Sequence, residues 1–279
     1  MRRLRPLQGN QAALHDAIAE RKRGDTKTIL RALRPRLHRS FVVYQNNYTN
    51  DSIETQVGLN LNANQAMCCL HCYETVSEKR NELIAAIRSR QDRILAGTCQ
   101  YCCVGKPNSI DHYLPKADFP EFSVFALNLL PCCGECNGKK GNYWLDNGVR
   151  AIINFYKDTP PNDVFLHAQL IYTAGDDVPI ARFSARWAAI RNRVLRLRVK
   201  RHFNKLELLD RYKEASIRKV TEQKITLTNH ARGAGISAHR RNLRAEAADL
   251  RRDFGNNFWQ AALCNAMADS TQFLQSIES

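Results

Sequence analysis

Cys99-Gln-Tyr-Cys102 and Cys133-Gly-Glu-Cys136 constrain this chain more than anything else in its sequence. Each Cys-x2-Cys turn presents two thiolates from one tight loop, and two such turns complete the tetrahedron of a structural zinc ion. The assignment is therefore Cys99, Cys102, Cys133 and Cys136. Cys103 and Cys132 stand beside the motifs, so Cys132-x3-Cys136 is an alternative register. Between and beside the knuckles lie Asp111, His112, Asn128 and Asn137, a harder set of donors suited to a divalent cation and a general base.

The surroundings fit a loop-rich module held by metal ligation. Residues 98–145 are punctuated by Gly105, Pro107, Pro115, Pro120, Pro131, Gly134, Gly138 and Gly141. On both sides the pattern is helical. Upstream, helices are predicted over 11–23, 26–38 and, without a Gly or Pro, 64–95, with the Asn-rich segment 45–64 separating the last two. Downstream, 164–173 and 180–184 flank Ala-Gly-Asp-Asp-Val-Pro and can pair as a hairpin, although 164–173 fits a helix almost as well. From Ala185 onward helix is expected again, with breaks near Phe203-Asn204 and at 231–237. Three regions follow: 1–97 helical, 98–145 the zinc module, and 146–279 basic and mainly helical. No repeat or low-complexity tract is present.

Ten cysteines in 279 residues would suggest disulfides in a small secreted chain. Here no apolar segment follows the basic start, so metal ligands and buried thiols in a reducing cytoplasm are expected instead. Cys69-Leu-His-Cys72 imitates a third knuckle, but it lies in a helical run without further ligands and is read as core. The same reading applies to His71, His167 and His202. No apolar run reaches the length of a membrane span. A net charge of +15 points to a polyanionic partner.

Cys99-Gln-Tyr-Cys102, then Ile110-Asp-His-Tyr-Leu-Pro-Lys116, then the run Asn128 to Gly141 resemble the zinc-stapled HNH endonucleases over about 50 residues. The resemblance implies an α+β, mostly α chain with a ββα-metal core flanked by N- and C-terminal helical regions. It makes His112 the general base and gives Asp111 and Asn137 to a catalytic Mg²⁺ or Mn²⁺. Asn128 then holds the loop and orients the His112 ring. Asn137 stands where many members carry His. Lys116, Lys139 and Lys140 become candidate phosphate contacts. The helical flanks and the Asp111-to-Lys116 run are also similar to bacterial antiphage-defence nucleases of the Septu type, which implies an ATPase partner. The expected substrate is double-stranded DNA. The rivals are a zinc-stapled binding module without cleavage and an RNA-cutting toxin on the same core.

Between Arg182 and Arg201 eight basic residues alternate with apolar ones. The spacing predicts a helix with a buried apolar side and arginines outward, which either places Arg193, Arg196 and Lys200 on a nucleic-acid backbone or forms a solvated face that packs on the rest of the protein or on a partner.

Overall fold

The computed structural model describes residues 1–173, 178–231 and 233–278. The chain is α+β and mostly helical, with three two-stranded antiparallel sheets among the described residues, and it divides into two compact units. The first comprises residues 3–101 and 105–159, and the second residues 1–2, 102–104 and 160–279.

In the first unit, α1 (Gln11–Ala19) is capped by Asn10, whose side chain accepts from Ala13 N at 3.0 Å. Helix α2 runs over Gly24–Thr49, well past the end at His38 expected from sequence, and contains Pro35. The reason is its buried stripe, Leu30, Leu33, Leu37, Phe41 and Tyr44, which continues at helical spacing beyond His38 and outweighs the weak propensity of the asparagines that follow. The single helix expected over 64–95 is three: α3 (Ala63–Glu74), α4 (Glu78–Ser89) and α5 (Arg93–Ala96). Ser77 interrupts the run because its hydroxyl accepts from Arg80 N and starts a new helix.

The zinc-module residues form β1 (Ser109–His112), β2 (Leu129–Cys132) and α6 (Gly134–Lys140), followed by the short hairpin of β3 (Leu145–Asp146) and β4 (Val149–Arg150). β1 and β2 pair with Asp111 opposite Leu130 and His112 opposite Leu129. The loop joining them is fixed on α2 by aromatic packing. Phe125 stacks on Phe41 with centroids 4.9 Å apart, and Phe122 meets Tyr44 at 5.0 Å.

Arg150 on β4 is fully buried and gathers three carboxylates, Asp51, Glu54 at 3.2 Å and Asp158 at 3.1 Å. It ties the turn after α2 to the chain beyond the hairpin. Asp158 is the buried carboxylate of the three, and removing Arg150 leaves its charge uncompensated, so Arg150→Ala should lose about 3–5 kcal/mol of stability. Urea unfolding checks this, and a variant within 1 kcal/mol of the parent (about the size of an exposed pair) contradicts it.

The second unit contains the predicted hairpin, β5 (Leu166–Ile171) with β6 (Ile180–Ala185). Residues 174–177, within the segment expected to join the two strands, lie outside the described residues, as does Arg232 in the predicted break at 231–237. Among the described residues the helices α7 (Arg193–Lys205), α8 (Leu208–Ala231), α9 (Ile236–Phe254), α10 (Trp259–Asp269) and α11 (Thr271–Glu278) follow. Tyr212 stacks on Trp259 and Phe183 meets Tyr212 edge-on, which seats α8 and α10 on the hairpin.

The basic stretch is not one helix. Arg182 lies on β6, and α7 begins only at Arg193, where Asn192 accepts from Leu195 N at 2.9 Å. Its faces also differ from those expected, since Val194 and Leu197 are exposed and Arg198 is buried with Val199, His202 and Phe203. No helix among the described residues is long and apolar enough to cross a membrane.

Candidate functional site

The thiols of Cys99, Cys102, Cys133 and Cys136 are buried, and their sulfurs all lie within 4.8 Å of one another. Local backbone turns create this arrangement. Val104 N points at Cys102 Sγ and Cys136 N at Cys133 Sγ, both at 3.4 Å, while Cys99 N bonds Gly105 O at 2.8 Å. Backbone amides aimed at sulfur favour thiolate, the form that binds metal. Gly105 is needed for this packing, because a Cβ there would come within 2.9 Å of Cys133 Cβ. The donors fit a zinc ion, held by four thiolates in a closed site. Cys132 is outside the group, so the register is Cys133 with Cys136. Its thiol is pushed up by burial, as are those of Cys69 and, to about 12, Cys72, which behave as core residues.

Asp111 and His112 are consecutive on β1, so their side chains leave opposite faces of the strand. His112 Nε2 lies 2.9 Å from the carbonyl oxygen of Ser123, and its ring meets Tyr73 of α3 edge-on with centroids 4.4 Å apart. A carbonyl only accepts, so Nε2 carries the hydrogen and Nδ1 carries the lone pair. Burial lowers the pKa of His112 to about 4, against the opposing pull of the Ser123 bond and of Asp111. The imidazole is neutral at pH 7, with one nitrogen ready to accept a proton.

Asn128 is fully buried and its amide spans the loop. Oδ1 accepts from Leu114 N at 2.7 Å, and Nδ2 donates to Leu114 O at 3.0 Å and Phe122 O at 3.4 Å. Phe122 directly precedes Ser123, so Asn128 fixes the segment that orients the His112 ring. Asn137 on α6 donates to Ser109 Oγ at 3.0 Å.

Asp111 is occupied on both oxygens. Tyr101 Oη donates to Oδ2 at 2.7 Å, and Lys140 Nζ donates to Oδ1 at 2.9 Å and to His112 O at 2.8 Å. Burial, together with the charge of Asp111, keeps the Tyr101 phenol protonated. A divalent cation does not fit this arrangement, because an ammonium ion already sits on the carboxylate and two cations there repel. Lys140 is thus not the exposed phosphate contact expected from sequence. Its side chain is buried at the end of α6, where its proximity to Asp111 satisfies both charges. Lys140→Met should therefore destabilise the fold by about 3–5 kcal/mol by leaving Asp111 uncompensated. Thermal melts with Lys140→Arg alongside test this, and a Met variant as stable as the parent refutes it.

Lys116 is partly exposed, bonds Glu74 at 2.6 Å and lies 5.7 Å from the Tyr73 ring centre. Arg193 and Lys200 are exposed on α7 in the second unit, while Arg196 Nε donates to Ile190 O at 2.7 Å. Sequence reasoning did not single out Tyr73, Tyr101 or Ser123. For Tyr101 the signal was its place inside the first knuckle, but Ser123 acts through its backbone and left none.

No protein-family model matches the chain, and no solved structure matches it. Among curated proteins, it is 30% identical over 197 residues to Protein ea31 of Escherichia phage lambda, covering 64% of each chain. It is also 42% identical over 71 residues to Septu protein PtuB of Bacillus thuringiensis. The chain is a partial homologue of Septu protein PtuB. That match covers 24% of this chain and 27% of PtuB, so the chain spans less than two thirds of the length of either relative.

Proposed function

We propose that this chain is an HNH-type endonuclease that hydrolyses phosphodiester bonds of DNA. The observation that carries the reading is His112, a neutral imidazole with a fixed tautomer on a hairpin framed by the four-thiolate cluster. Nδ1 takes a proton from water and the water oxygen attacks phosphorus. The bond from phosphorus to the 3′ oxygen breaks, and that oxygen takes a proton from solvent, giving 5′-phosphate and 3′-hydroxyl ends. Zinc held by Cys99, Cys102, Cys133 and Cys136 keeps the two knuckles in place. The resemblance implies Mg²⁺ or Mn²⁺ at Asp111 and Asn137, but Lys140 already holds that carboxylate.

Similarity to Septu protein PtuB supports a place in antiphage defence beside an ATPase partner. One observation favours a second reading, a zinc-stapled nucleic-acid binder without cleavage: the carboxylate needed for a catalytic cation is taken by Lys140. Incubation of the purified protein with supercoiled plasmid and with structured RNA, with Mg²⁺, with Mn²⁺ and with EDTA, separates the readings. Nicked or linear plasmid lost in His112→Ala supports the endonuclease. Binding with intact plasmid under every condition supports the binder, and cut RNA with intact plasmid moves the substrate to RNA.

A further inference from the structure

On the side of β1 that faces α3 and α4, the first unit contains an open cleft of about 580 Å³. Tyr73, Arg80, Asn81, Arg88, Asn108 and Ser109 line it, and no Asp or Glu does. Arg80, Ile84 and Arg88 follow one another at intervals of four along α4, so they share one helix face. At 1.5 Å per residue the two arginines are separated by about 12 Å along the axis. A duplex strand carries one phosphate per about 3.4 Å of axis, so they span three to four phosphates.

The cleft leads to the histidine. Ser109 and Ile110 at its edge immediately precede Asp111 and His112 on β1. Tyr73, which forms one wall, touches the His112 ring, and the guanidinium of Arg80 lies 4.8 Å from the Tyr73 ring centre. Arg80 Nε also bonds Tyr73 O at 3.1 Å. Arg88 is exposed and forms no ion pair among the described residues.

We propose that this cleft is the track along which a phosphodiester backbone reaches His112, with Arg88 and Arg80 each holding a phosphate. The chemistry fits that ligand because guanidinium groups, side-chain amides and a hydroxyl are the usual partners of phosphate and sugar, whatever the sequence. The track rests on the reading of His112 as the base. It places the substrate grip in the same unit as that histidine, rather than on Arg193, Arg196 and Lys200 of α7.

The test is fluorescence anisotropy in EDTA with a 20-base-pair DNA duplex and an RNA duplex of the same length, over a range of salt, for parent, Arg88→Gln and Arg80→Gln/Arg88→Gln. Arg39→Gln, an exposed arginine lining a different cleft, controls for net charge. Each lost contact should flatten the slope of log K against log salt by about 0.9 for DNA, so the double variant should lose nearly two units and Arg39→Gln none. Weakening should be uniform across sequences. Among the described residues Arg88 bonds no neighbour through its side chain, so Arg88→Gln should melt like the parent and its result is not confounded by folding. Unchanged affinity and slope in Arg88→Gln, with plasmid cleavage by the parent intact, overturns the track alone. A parent that neither binds nor cuts either nucleic acid overturns the track together with the proposed function. Preference for RNA with the same loss of slope keeps the track and changes the substrate.

Discussion

Cys133→Ser should leave the first unit unable to hold its native fold at 25 °C, and the purified parent should contain one zinc per chain. Four thiolates brought within 4.8 Å have no stable arrangement as unscreened charges, and as thiols they give β1, β2 and α6 little to fold around. Apparent zinc affinities of such sites amount to about 10–16 kcal/mol near pH 7, and that binding free energy is folding free energy. A typical domain is stable by only about 5–15 kcal/mol, so loss of one ligand takes most of the margin. Elemental analysis and circular dichroism melts with and without a chelator measure the effect. Cys132→Ser is the paired control: Cys132 is buried on β2 but outside the cluster, and its variant should keep the metal and lose only packing. Equal zinc and equal melting in Cys133→Ser and the parent would remove the ion from the account. Zinc lost from Cys132→Ser and kept by Cys133→Ser would restore the alternative register.

How much of this was legible in sequence depends on how local the cause is. The two knuckles could be read from spacing, because a Cys-x2-Cys turn is complete within four residues, but Cys132 left the register open until the fold grouped the sulfurs. The hairpin of β5 and β6 was legible only in part, because 164–173 alone fits a helix almost as well as a strand and the pairing with 180–185 decides it. The end of α2 was not legible, since it depends on Phe41 and Tyr44 finding Phe122 and Phe125 some 80 residues later. Lys140 misled for a related reason. A lysine at the end of a helix beside a glycine is ordinarily solvated, and only the fold brings Asp111 to it. The tautomer of His112 depends on the backbone oxygen of Ser123, which no residue type encodes. The α7 arginines show the opposite error: charge and spacing suggested an outward arginine face from Ala185 onward, while α7 begins only at Arg193 and burial takes Arg198.

His112→Ala should reduce cleavage by about 10²–10⁴ while DNA binding in EDTA stays near that of the parent. That loss corresponds to about 3–5 kcal/mol of barrier, the contribution of a positioned base. The Ala variant also leaves space against Tyr73, so His112→Gln, with an amide in place of the ring, separates packing from proton transfer. Both should lose cleavage to the same extent. The pH profile provides a sharper test, because an imidazole with its pKa near 4 is already deprotonated at pH 6. Activity should rise through about pH 4 and be flat near neutrality, where an ordinary imidazole with a pKa of about 6.5 would still be titrating. The same depression sets a stability window. Between about pH 6.5 and 4 the unfolded chain holds a proton on His112 that the folded chain does not, so stability is complete above 6.5 and falls as pH drops toward 4. The difference between 6.5 and about 4 corresponds to an effect on the order of 3 kcal/mol. Acid also protonates zinc-bound thiolates, so the informative quantity is the difference between parent and His112→Gln in urea unfolding at pH 7 and pH 4.5. The parent should lose more stability than the variant over that interval. Identical losses, or a cleavage rate that titrates near 6.5, would mean that His112 is not the dry, neutral base the Ser123 bond describes.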